Sequence, residues 1–248
     1  MAGDDNAVWL IRGGPTKVHP LTSRQQDSDA RPDRNSPEGI VYAACVLVKF
    51  HLPRHVVHAI LDMAGFWVEF YEETNEYVDG DAPLEHEYLH VTVPGYMGHD
   101  ALELRRCVGM SIECISHDQG WADSPDLNGT YRGVYSWCEL DVWNEAQDKQ
   151  VLPKWEVSYN VRGRSDFRHH LRIERENRTI LDLMETPYNV VRFYLRAQYG
   201  GWKNVAKYAR IALHFSVNLK PNLDIDKIMR DLDREFGDDW WGAQVPAP

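Results

Sequence analysis

Alternation of apolar and polar side chains with a period of two residues dominates the sequence between residues 88 and 217. In the run from Arg106 to Ile115, for example, Val108, Met110 and Ile112 fall on one face. Such a run is typical of a strand with one buried face. Turn residues separate seven or eight runs of this kind, which predicts a mainly β fold: an antiparallel β-sandwich or jelly roll. The predicted strands are 88–93, 106–115, 131–143, 155–161, 167–173, 179–184, 191–199 and 208–217.

The residues before this region are predicted to form an arm and a helical segment. We expect residues 1–38 to be a disordered arm, because Arg, Asp, Ser, Pro and Gln dominate from about residue 13 and too little apolar surface is present to offset the entropy of ordering. Residues 39–71 are predicted to form a short N-terminal helical segment. Within it, Pro53 fits a first helical position and Gly65 a helix stop.

The sandwich domain is predicted to span residues 86–218, after a polar loop from Glu72 to Glu87. Residues 219–248 are predicted to form a C-terminal amphipathic helix and a tail, because apolar residues between Asp224 and Phe236 recur at helical spacing. That helix could either dock on the domain or bind a partner.

Charge and cysteine content exclude several classes of protein. The chain has 27 Lys and Arg against 38 Asp and Glu, which gives a net charge of −11. We therefore expect neither a nucleic-acid nor a membrane partner, because phosphate groups are bound mainly by basic side chains. The first residues lack the pattern of a secretory signal. We expect a cytoplasmic protein, with a nuclear location as the alternative, whose four cysteines are thiols and which needs no cofactor.

The best candidate site is the stretch from Ser116 to Trp143, where aromatic residues surround a loop rich in Asp, Asn and Gly. A second aromatic and glycine-rich unit, Tyr199–Asn204, is predicted to lie beside that loop at one end of the sandwich. Aromatic faces beside polar loops form shallow recognition surfaces, but they also pack the corners of sandwiches. The predicted ligand-binding residues are His117, Asp118, Trp121, Asn128, Tyr131, Arg132, Trp137 and Trp202.

Two enzymatic alternatives follow from the histidines. His117 and Asp118 could act as acid and base in a cyclase or isomerase whose pocket lies in the sandwich. His86–His90 matches the H-E-x-x-H pattern of zinc hydrolases, which requires a helix. Here β-branched residues and Pro94 follow His90 and favour a strand, on which the two histidines would be about 13 Å apart. No metal site is therefore predicted.

The central motif also carries a family resemblance. S-H-D-Q-G-W at 116–121 is followed by G-T-Y-R-G at 129–133 and Y-S-W at 135–137. This combination resembles a motif of largely uncharacterised fungal intracellular proteins, and Leu195–Asn204 is similar to their closing turn and strand. The resemblance implies no catalytic residues, since no activity is established for that group.

A second resemblance concerns the helical segment. Leu52–Trp67 resembles the start of an F-box, which implies a component of a ubiquitin ligase. Both resemblances and the aromatic loops lead to the same hypothesis, an intracellular recognition or adaptor protein that binds a protein or a glycan.

Overall fold

The computed structural model describes residues 36–97 and 99–236. Within them the chain forms two compact units, each made of several chain segments. The first unit comprises residues 70–95 and 107–214; the second comprises 36–69, 96–97, 99–106 and 215–236. The predicted arm, apart from its last residues, and the tail after residue 236 lie outside the described residues.

Nine strands are found in the described residues: β1 Val68–Thr74, β2 Val78–Asp81, β3 Leu84–Thr92, β4 Leu102–His117, β5 Ser136–Asn144, β6 Lys149–Tyr159, β7 Arg168–Glu174, β8 Asn189–Ala197 and β9 Lys203–Leu219. They form two antiparallel sheets. The first has the order β1-β9-β4-β7, with β2 also paired to β9, and the second has the order β3-β8-β5-β6.

The two sheets pack face to face. Cys114 on β4 and Cys138 on β5 belong to different sheets, yet their sulfur atoms are 3.8 Å apart. Ile112, Leu140 and Phe193, which come from both sheets, are completely buried or nearly so. Burial of such side chains between the sheets is the main source of stability in this architecture. The predicted mainly β fold, an antiparallel β-sandwich, is confirmed.

Four α-helices accompany the strands of the described region: α1 Pro37–Lys49, α2 Arg54–Met63, α3 Arg178–Leu183 and α4 Ile225–Phe236. The Ser36 hydroxyl caps α1 by accepting a hydrogen bond from the Gly39 amide at 3.1 Å. In the second unit, α1 contacts both α2 and α4. The predicted C-terminal helix is therefore confirmed, and it docks on another helix of its own unit.

The prediction of a loop over Glu72–Glu87 is wrong, because this stretch contains the end of β1, all of β2 and the start of β3. β2 pairs with β9, where the Lys203 ammonium lies 3.0 Å from Asp79 and 3.3 Å from Asp81. Cross-strand pairing with a lysine compensates acidic residues that would otherwise disfavour a strand.

The prediction of a strand over Thr179–Met184 is also wrong, because these residues form α3 and its C-cap. The Asn177 side chain accepts a hydrogen bond from the Ile180 amide and so caps the helix. The buried side chains Ile180, Leu181 and Met184 follow helical spacing. Asn177 was the sequence signal for this helix.

The H-E-x-x-H match lies on β3, which confirms that His86 and His90 belong to a strand. The His90 Nδ1 atom lies 3.0 Å from the Glu87 carboxylate on the same strand. Within residues 36–97 and 99–236, no group of three His, Cys, Asp or Glu side chains is arranged to hold a metal ion. None of the described helices is long and apolar enough to cross a bilayer. The F-box-like segment supplies α2 before the chain enters β1, and its adaptor role stays a prediction.

Candidate functional site at the aromatic end of the sandwich

Three loops leave the same end of the sandwich. They connect β4 to β5 (residues 118–135), β6 to β7 (160–167) and β8 to β9 (198–202). The Tyr135 ring makes edge-to-face contacts with Tyr199, at 4.8 Å between centroids, and with Trp202, at 5.3 Å. The predicted proximity of the Ser116–Trp143 loop and the Tyr199–Asn204 turn is therefore confirmed.

We call the side chains Trp121, Tyr131, Tyr135, Tyr199 and Trp202 of these loops the aromatic end. Four of them are exposed, from 61% for Trp121 to 39% for Tyr135. The Trp121 indole lies against Gly201, where an added Cβ would be 3.4 Å from the ring and φ is +90°. Only glycine takes this backbone conformation without strain while leaving room for the indole. Partial burial raises the pKa of the Tyr131 phenol.

Asp118 fixes the start of the β4–β5 loop. Its completely buried carboxylate accepts hydrogen bonds from three backbone amides: Gly120 at 2.9 Å, Gly163 at 2.7 Å and Arg164 at 3.0 Å. Burial raises the pKa of Asp118, while the three amides act in the opposite direction. The carboxylate thus joins the β4–β5 loop to the β6–β7 loop.

His117 occupies the last position of β4. Its Nδ1 atom is hydrogen-bonded to the backbone carbonyl of Asp118, and its ring meets Phe167 edge to face at 4.5 Å. Both candidate acid–base side chains, His117 and Asp118, are therefore held by neighbouring backbone. These contacts are those of residues that shape a loop.

Arg162 is a structural residue of this end that no sequence pattern singled out. Its side chain is only 6% exposed, and its guanidinium donates hydrogen bonds to the backbone carbonyls of Asp123 and Gly133. The same guanidinium lies over the Trp202 ring at 5.2 Å. Arg162 therefore anchors the β4–β5 loop and supports an aromatic side chain through a cation–π contact.

The remaining predicted polar residues lie on the β4–β5 loop. Asn128 packs against Gly163, where φ is +63° and an added Cβ would be 2.5 Å from the Asn128 Oδ1 atom. Arg132 is exposed, and its backbone amide donates to the Thr130 hydroxyl at 3.1 Å. The Arg132 side chain is thus accessible to solvent on the same loop as Trp121 and Tyr131.

A buried polar cluster beneath the loops was not recognised in the sequence. Asn160 accepts a hydrogen bond from the Ser116 hydroxyl at 2.7 Å, and it donates to Ser136 at 3.0 Å and to Asn204 at 3.1 Å. The Asn204 amide in turn donates to the backbone carbonyl of Trp137 at 2.8 Å. Because the three hydrogen bonds of Asn160 are buried, this cluster holds the ends of several strands in fixed positions.

Trp137 lies apart from the exposed aromatic side chains, on β5. Its indole donates a hydrogen bond to the Glu139 carboxylate at 2.9 Å, and the Arg196 guanidinium lies 5.8 Å from its ring. Trp137 is only partly exposed, and it belongs to the outer face of the second sheet. Of the eight predicted residues, it is the one placed on a sheet face.

Fold and site together define a class: a β-sandwich whose loops carry exposed aromatic side chains at one end. No protein-family model matches the chain, and no curated protein sequence matches it. Function must therefore be inferred from the geometry of these side chains.

We expect Asp118→Ala to lower the free energy of unfolding by about 2 kcal/mol, because three backbone amides lose their acceptor. Urea-induced unfolding measures the loss. Asp126→Ala is the matched control, since Asp126 is exposed on the same loop. Equal stability of the two variants would show that the carboxylate does not hold the loops.

Proposed function

We propose that this chain is a recognition protein that binds a protein or a glycan through the aromatic end. The supporting observation is that four aromatic side chains are exposed there, while Asp118, Arg162 and Asn160 fix the backbone beneath them. Tyrosine and tryptophan supply much of the affinity in binding surfaces. Loops that are already fixed lose little conformational entropy when a ligand binds.

The acid–base alternative has weaker support. Both carboxylate oxygens of Asp118 and the Nδ1 atom of His117 are already hydrogen-bonded to backbone groups. A general acid or base must instead reach the proton that it transfers. We therefore place recognition ahead of catalysis.

We expect Trp121→Ala and Tyr199→Ala to weaken ligand binding at least about tenfold, because both remove exposed aromatic contact area. A glycan array and a displayed peptide library serve as probes, and the strongest ligand is then titrated by calorimetry. The thermal midpoint should stay nearly unchanged, since neither side chain is buried.

Tyr188→Ala is the matched control for Tyr199→Ala. Tyr188 precedes β8 and Tyr199 follows it, so the two residues lie at opposite ends of one strand. Their exposures are 62% and 57%, and both have positive φ. Equal losses in the two tyrosine variants, or binding that survives the loss of both Trp121 and Tyr199, would contradict the proposal.

We also propose a cytoplasmic location, with the nucleus as the alternative. All four cysteines are buried thiols, which suits a reducing compartment. Imaging of a fluorescent fusion protein distinguishes the two compartments, and a secreted product would contradict both.

A further inference from the structure

The second unit contains a cavity of about 420 Å³. Its walls come from α2, β4 and β9, and the side chains that matter are His55, His58, Asp62, Arg105, Arg106 and Asn218. Cavities of this size commonly hold small organic molecules. The cavity was not foreseen from the sequence, because its residues come from distant parts of the chain.

The charges in this cavity favour an anion. The Arg105 guanidinium lies 2.8 Å from one carboxylate oxygen of Asp62, and the Arg106 guanidinium lies 3.7 Å from the same oxygen. Two cations thus share one carboxylate, although the whole chain carries a net charge of −11. A guanidinium offers five N–H donors, so most donors of the pair are not used by Asp62.

Two further side chains indicate which polar groups the ligand has besides its anionic group. The His58 Nε2 atom accepts a hydrogen bond from the Leu219 amide at 3.2 Å, so the neutral ring keeps its proton on Nδ1 as a second donor. Among the described residues, the buried Oδ1 atom of Asn218 has no hydrogen-bond partner. A buried acceptor without a partner is costly, and a ligand hydroxyl would satisfy it.

We propose that this cavity binds a small hydroxylated phosphate monoester. Arg105 and Arg106 contact the phosphate group, and Asn218 accepts a hydrogen bond from a hydroxyl of the organic part. A phosphate dianion suits the site better than a carboxylate, because its two charges and three oxygens match two adjacent guanidinium groups. The volume exceeds what the phosphate group alone would fill, which leaves room for the organic part.

Calorimetric titration of the full-length protein with glucose 6-phosphate, inorganic phosphate and glucuronate tests the proposal. Glucose 6-phosphate should bind most tightly, because inorganic phosphate lacks the organic hydroxyls and glucuronate carries one charge. Arg105→Gln should weaken glucose 6-phosphate binding about tenfold, the effect of losing a charge-assisted hydrogen bond. Arg230→Gln on α4 is the matched control, since it removes an exposed charge of the same unit.

Two variants give results that a general loss of structure cannot produce. Asp62→Asn should tighten glucose 6-phosphate binding several-fold, because the competing carboxylate charge is removed. Asn218→Ala should weaken binding of glucose 6-phosphate but not of inorganic phosphate. Equal affinity for all three probes, an effect of Arg230→Gln as large as that of Arg105→Gln, or weaker binding by a folded Asp62→Asn variant would overturn the proposal.

Discussion

Replacing Arg192 by alanine is expected to lower the free energy of unfolding by about 4 kcal/mol, as typically follows when a buried charge loses its partner. Arg192 on β8 makes two hydrogen bonds to Asp141 on β5, at 2.8 and 2.7 Å. Asp141 is only 1% exposed, and without Arg192 its described polar contact is the Gln150 amide at 2.9 Å. Chemical denaturation of the two proteins at neutral pH measures the difference.

Arg178→Ala is the control for this effect. Arg178 pairs with Asp182 at 2.7 Å on α3, but both side chains are more than half exposed, so its loss should cost about 0.5 kcal/mol. The double variant Arg192→Ala with Asp141→Ala should be more stable than the sum of the single effects predicts, because no unpaired charge is left. An Arg192→Ala cost as small as the Arg178→Ala cost would contradict the assigned role.

Patterns of period two located most strands, because successive side chains of a strand point to opposite faces of its sheet and the inner face is apolar. The runs 106–115 and 131–143 were assigned in this way, although the second strand begins only at Ser136, because residues 131–135 belong to the β4–β5 loop. The pattern gave the wrong element at two places. An asparagine cap stabilises residues 178–183 as a helix, and cross-strand pairing with a lysine stabilises residues 78–81 as a strand. The cap is a local contact, whereas the lysine pairing depends on Lys203, a residue far away in the sequence.

The aromatic end could be predicted only in part. The paired loops were foreseen from their composition, since connections between strands cluster at the ends of a sandwich. The supporting residues were not foreseen, because neither Arg162 nor Asn160 stands out in any sequence pattern. Asp118 was predicted as a ligand-binding residue, and in the structure its carboxylate accepts hydrogen bonds from the Gly120, Gly163 and Arg164 amides.

The burial of charged residues on the outer face of the second sheet could not be predicted from the sequence either. Glu139 and Asp141 alternate with apolar residues on β5, as exposed residues of a half-buried strand do. They are nevertheless 6% and 1% exposed, because arginine side chains from β8 cover them. Cross-strand register determines this burial, and register is not encoded in one strand alone.

We expect His170 to make the stability of the first unit depend on pH. The side chain is 8% exposed on β7 and lines a small internal space together with Cys114 of β4 and Val157 of β6. Burial lowers the pKa of His170 from 6.5 to about 4, and the positive charges of His169 and Arg168 act in the same direction. The unfolded chain therefore binds a proton at a pH where the folded chain does not.

Acidification from pH 6.5 to pH 4 is accordingly expected to remove about 3 kcal/mol of stability through His170 alone, and above pH 6.5 the effect should vanish. The measurement is urea unfolding across this range for wild type and for His170→Gln, which cannot take up the proton. The variant should show the smaller pH dependence whatever its stability at neutral pH. His90→Gln, at an exposed position of β3, should keep the wild-type dependence. If His170→Gln does not fold, NMR titration of His170 in the wild-type protein decides the matter: a midpoint near 6.5 would refute the prediction.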